Sequence, residues 1–136
     1  MTRFEKEGLD EQAKDYYRKA LTVWEKIATQ LPFSDVYTPQ AYYAVANCYS
    51  DLGDYNSAIN YHKKVIADYP DFMNRYMAMF MLADCYNKQA AAGQIPQEEA
   101  KEQIIGIYQE LLDQYPDCQV ANIARTQLLR LGAELP

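Results

Sequence analysis

The sequence predicts an all-α chain of about six helices, stacked as a solenoid of antiparallel helix pairs. Three observations predict it. Pro32, Pro39, Pro70, Pro96 and Pro116 punctuate long stretches that contain no proline. Within those stretches apolar residues recur every three or four positions, as at 42, 45, 46, 49 and 52 or at 79, 82, 83 and 86, the period of a helix with one buried face. No run alternates with the period of two that marks a strand, and the middle of the chain repeats itself.

The elements follow in order within a single domain, 1–136. Residues 9–31, LDEQAKDYYRKALTVWEKIATQL, form one long amphipathic helix inside a segment bounded by Gly8 and Pro32. A first repeat runs over 39–70 and a second over 73–116. AYYAVANCYSDLGDY opens the first unit and AMFMLADCYNKQAAAG the second; INYHKKVIADYPD closes the first and IGIYQELLDQYPD the second. Each unit is thus two helices and a turn. Pro116 lies 30 positions after Tyr86, whereas Pro70 lies 21 after Tyr49. The extra length falls in NKQAAAGQIPQEEAKEQ, so the fourth and fifth helices are expected to outrun their counterparts and protrude. Pro96 followed by Gln97, Glu98 and Glu99 reads as a helix start, with acids at the positive end of the helix dipole. The last segment, 118–132, is a helix with Val120, Ile123, Ala124, Leu128 and Leu131 as its stripe and Arg125, Gln127 and Arg130 outside, the composition of a polar cap.

These units resemble the tetratricopeptide repeat (TPR) family, whose repeat spans about 34 residues in a large–small–aromatic–proline pattern. Tyr42, Val45, Ala46 and Tyr49 stand in the first helix, Gly53 and Tyr55 in the turn, and Ala58, His62, Val65 and Pro70 in the second helix. The resemblance implies a right-handed α-solenoid. Ala46, Ala58 and Ala83 are small where paired helices touch, and Gly53 supplies φ > 0 at a helix end. Ile104 stands where the family has alanine, against close helix approach there. The first long helix looks like the second helix of a repeat whose first is missing, in either of two registers: Ala13, Tyr17 and Ala20, or Ala20, Trp24, Ile27 and Pro32. A native N-terminal cap is the alternative. The Tyr-Pro-Asp endings and PQAYYAVANCYSDLGDY resemble TPR units of bacterial envelope proteins, among them outer-membrane assembly lipoproteins and the periplasmic partners of the Tol–Pal system.

Composition excludes several functions. The net charge is −6 and no basic run stands out, so nucleic acid is not an expected partner. No apolar run approaches the roughly 18 residues of a membrane span. The N-terminus MTRFEKEGLDEQ is charged from its start, unlike a signal peptide. Three cysteines without Cys-x-x-Cys spacing, at 48, 85 and 118, read as free thiols. They favour a cytoplasmic setting; a periplasmic one requires a signal peptide outside this sequence.

No residue pattern predicts an enzyme, a cofactor or a metal site. His62 is the sole histidine, has no ligand spacing around it, and occupies the aromatic place that Tyr108 holds in the next unit. Cys48 and Cys85 share one repeat position as small buried side chains, and Cys118 lies in a turn. Glu98 and Glu99 point about 100° apart on a helix. Phosphate loops, zinc-protease motifs and nucleophile elbows are missing from the sequence.

The surface is what remains, and the TPR resemblance assigns its concave face. Positions two, five, nine and twelve of each first helix become Gln40, Tyr43, Asn47 and Ser50, then Met77, Phe80, Asp84 and Asn87, with Ile123, Thr126 and Arg130 from the last helix. Tyr43, Met77, Phe80 and Ile123 form an apolar end; Asn47, Asp84, Asn87 and Lys88 form a polar one. A peptide or partner protein is the expected ligand. The alternative packs Met77 and Phe80 against the neighbouring first helix. The carboxylate clamp of chaperone-binding TPR proteins is not expected: Asn47 fits, but Tyr43 stands in place of its lysine. The second functional expectation is a spacer or self-association segment, pairing through the open N-terminal face.

Overall fold

The computed structural model describes residues 2–136, and among them lie six helices and no strand. They are α1 (Arg3–Thr29), α2 (Tyr37–Asp51), α3 (Tyr55–Asp68), α4 (Arg75–Ala91), α5 (Gln97–Gln114) and α6 (Ala121–Arg130). Each packs chiefly on its chain neighbours, and α2 also touches α4. This is a TPR-like all-α solenoid.

The first helix begins earlier than its apolar pattern. Thr2 caps it: the hydroxyl accepts from Glu5 N at 3.1 Å while the Glu5 carboxylate accepts from Thr2 N, a reciprocal box that satisfies two otherwise orphaned donors. Gly8 therefore lies inside the helix. Residues 2–13 are all exposed, and cover on α1 begins near Tyr17 and deepens to the buried Ala28. Periodicity misses the first turns because they bury nothing.

The ends of α2, α4 and α6 share one device. Gly53, Gly93 and Gly132 have φ of 83°, 73° and 73°. After α2, Gly53 N reaches Ser50 O and Asp54 N reaches Tyr49 O; the same pair of bonds follows α4 at Gly93 and Gln94, and α6 at Gly132 and Ala133. This is the Schellman arrangement, which needs the left-handed region that glycine enters freely. Gly93 thus marks in the second unit the place of Gly53 in the first. The inserted residues lengthen the helices on either side, to 17 in α4 against 15 in α2 and 18 in α5 against 14 in α3.

The core runs along the stack. Ala46, Ala58 and Ala83 are fully buried, so backbones approach where side chains are smallest. Ile104 is buried as well, and so is the small Ala100 one turn earlier. Leu111, Leu128, Val45 and Val65 fill the interior. Arg75 locks the second unit to the first: its Nε donates to Ile66 O at 2.9 Å and its guanidinium reaches Gln114 and the Tyr115 hydroxyl.

One flank carries a row of five rings. Phe33 stacks on Tyr69, Tyr69 on Tyr42, Tyr42 on Tyr61 and Tyr61 on Tyr49, with centroids 6.4, 6.2, 6.1 and 5.6 Å apart. Lys64 Nζ sits 5.1 Å over Tyr42. At the far end the Tyr49 hydroxyl donates to Glu25 at 2.9 Å, tying α2 to α1.

Candidate functional site

Helices α2 and α4 together supply the six residues singled out in sequence: Tyr43 and Asn47 come from α2, and Met77, Phe80, Asp84 and Lys88 from α4. All six are half-buried, neither lost in the core nor free in solvent. The two helices touch, and a polar contact joins them at one end. Lys88 Nζ pairs with Asp84 at 3.1 Å and donates to Ser50 Oγ at 3.3 Å. Burial works against the Lys88 ammonium, but Asp84, Cys85 and Asp51 outweigh it and raise its pKa. Burial raises the Asp51 pKa, with Lys88 opposing.

The apolar end has a more mixed character than its sequence suggests. Met77 and Phe80 both pack against the buried core cluster. Phe80 stacks on Tyr108 of α5 at 6.0 Å. Part of each side chain is thus used within its own unit, and part stays available. Burial, helped by Asp84, pushes the Tyr108 phenol up to about 12. Tyr43 meets the edge of His62 at 5.7 Å and leans on Phe72 at 6.0 Å.

His62 is fully buried, and among the described residues neither ring nitrogen has a hydrogen-bond partner. Burial lowers its pKa to about 4. A neutral imidazole packed under Tyr43 fills the place of an aromatic ring, as Tyr108 does in α5. Among the described residues no group of three or more His, Cys, Asp or Glu side chains is placed to hold a metal. Cys48 and Cys85 are buried and free, Cys118 is partly exposed and free. Burial raises both buried thiols, which makes them poor nucleophiles at neutral pH.

Sequence reasoning missed the loops between units. Phe33, Val36, Tyr37 and Met73 are each 63% to 81% exposed. A further apolar cleft of about 430 Å3 lies among Trp24, Ile27, Leu31 and Tyr37. The signal was present as apolar residues beside Pro32 and Pro70, but helical periodicity has nothing to say about loops.

Stacked helix pairs and a half-buried face shared by first helices define a TPR-like helical-repeat protein, a class that is generally non-catalytic and works through protein partners. The chain belongs to the YfiO family of outer membrane lipoproteins, whose family model matches residues 1–135. No significant match was found among curated proteins or among solved structures. Among the described residues no helix is long and apolar enough to cross a membrane.

Proposed function

We propose that the chain holds a peptide segment of a partner protein on the face made by α2 and α4. Tyr43, Met77 and Phe80 contact its apolar side chains, and Asn47, Asp84 and Lys88 fix its register. The observation that carries this reading is the half-buried state of all six residues, beside a Lys88 hydrogen bond that joins the two helices. A preformed face of this kind binds with little ordering cost. The family description directs the search for the partner to the bacterial envelope. The test is a photo-crosslinking residue at position 47 compared with one at the exposed Glu102 of α5. Crosslinks to a defined partner from position 47 alone, lost on Asp84→Asn or on Met77→Ser, support the reading. Equal crosslinking from both positions sinks it.

A second reading has its own observation. Leu9, Tyr16 and Val23 lie exposed along one side of α1, at helical spacing and beside the face that meets α2. Residues 3–15 carry three cations and five anions, residues 16–29 three cations and one anion. Two copies of α1 paired antiparallel would set the acidic half on the basic half. Sedimentation equilibrium separates the readings: a dimer abolished by Tyr16→Glu favours self-association, and a strict monomer removes it.

A further inference from the structure

The loops that join successive helix pairs, 30–36 and 69–74, lie side by side at one edge of the solenoid, held together where Phe33 stacks on Tyr69. Ser34 shapes the first loop: its hydroxyl accepts from Val36 N and Tyr37 N, and its own N donates to Thr38 Oγ1 at 2.9 Å. Two adjoining clefts open between the loops. The larger, about 460 Å3, is walled by Phe33, Tyr69 and Phe72 and carries Asp35, Asp68 and Asp71. The smaller, about 220 Å3, lies among Val36, Tyr37, Phe72 and Met73 and shares Asp35 and Asp71.

Neither cleft is lined by a lysine or an arginine. Asp68 is engaged by Lys64 at 3.0 Å. Asp35 and Asp71 make no side-chain hydrogen bond or ion pair among the described residues. Exposed aromatic and thioether groups thus stand beside two unneutralised carboxylates. Scattered apolar residues on a surface need no explanation, but here exposed rings and a thioether gather around one small apolar cleft that opens beside an acidic one.

From this juxtaposition we infer a second docking surface, separate from the α2–α4 face, that takes a cationic amphipathic peptide segment of a partner protein. One apolar side chain enters the smaller cleft, which falls below the roughly 300–1,000 Å3 of a small-molecule site and suits a single anchor. A flanking arginine or lysine lies in the larger cleft, its charge over the exposed Phe33 ring at the end of the row and against Asp35 and Asp71. Aromatic faces and carboxylates together recognise a guanidinium by cation–π contact and charge-assisted hydrogen bonds. The same carboxylates repel anionic lipid and nucleic acid. Gln40 and Phe72 are where this groove meets the α2–α4 face.

The test is fluorescence anisotropy on the full chain with three labelled peptides. The first carries one Phe between two Arg in a Ser background; the second has Glu for Arg; the third has Ser for Phe. The first peptide is expected to bind, with affinity falling as salt rises, and the other two at least about tenfold more weakly. Asp35→Asn with Asp71→Asn is expected to weaken the first peptide by about tenfold, and so is Met73→Ser. Asn47→Arg, on the α2–α4 face, leaves its binding unchanged. The substituted loop side chains are exposed, and circular dichroism checks that each variant folds. Equal binding of the Glu peptide, no loss in the double Asn variant, loss with Asn47→Arg, or no binding of any peptide would overturn the proposal. So would a dimer that dissolves on Met73→Ser, since the occupant would then be a second copy of the chain.

Discussion

His62 is a buried base with no hydrogen-bond partner among the described residues, and that combination has a measurable consequence. Its pKa falls from 6.5 in the unfolded chain to about 4 in the fold because burial disfavours the charged ring. The unfolded state therefore binds more protons between those values, and stability rises with pH across that window. The contribution is complete above pH 6.5 and is lost on acidification toward pH 4, amounting to about 3 kcal/mol. Carboxylates titrate in part of the same window, so the comparison must be with His62→Phe. That variant is expected to lose the His62 part of the acid sensitivity and to be more stable at pH 6 by roughly 1 kcal/mol, once an orphaned polar group is gone. Parallel urea-melt profiles against pH for the two proteins would refute this account. The structural place of His62 was legible in the repeat, from its match to Tyr108. The lack of any partner for its nitrogens was not, because it depends on what surrounds the ring in three dimensions.

Helices are bounded here by chemistry of two kinds, and only one is strong in sequence. Prolines and Asp54, whose carboxylate accepts from Ser57 N at 3.2 Å, announce helix starts and stops. Gly53 was readable as a turn because a helix pair flanks it. Gly93 sits among alanines, and Gly132 near the end of the chain, so their equivalence emerges only from the repeated bond pattern. Each occupies a left-handed conformation that costs an ordinary residue about 1–2 kcal/mol. Nothing lies within 4 Å of where a Cβ at Gly53 would stand. Gly53→Ala therefore acts through backbone strain alone and is expected to destabilise by about 1 kcal/mol. Thermal melts should show it, while Gly8→Ala, inside exposed α1, should stabilise by up to about 1 kcal/mol. Equal effects of the two substitutions would contradict the assignment.

The whole molecule is a linear stack, in which each helix leans on its neighbours and stability is built along one axis. The all-α class, the number of helices and their pairing were legible because proline spacing and helical period both survive into the fold. Which side chains face a partner was less legible: Phe80 matched a concave position, yet its ring also stacks on Tyr108. Protection against hydrogen exchange should follow the stack. It should be greatest in α4, with eight buried residues, lower in α6 with three, and least in residues 3–13 of α1, which are exposed throughout. Uniform protection would mean that the stack opens only as one unit. The row of rings from Phe33 to Tyr49 adds a property of another kind. Four tyrosines, within 11–25° of parallel to their neighbours in the row, form a coupled array of chromophores. Their electronic transitions share a chiral arrangement, so the folded chain should give a near-ultraviolet dichroic band that Tyr61→Leu, in the interior of the array, weakens by more than the loss of a single ring. The array ends at Phe33, in the acidic loop groove, and an arginine laid on that ring would register in the same band, giving an optical report of occupancy that needs no label.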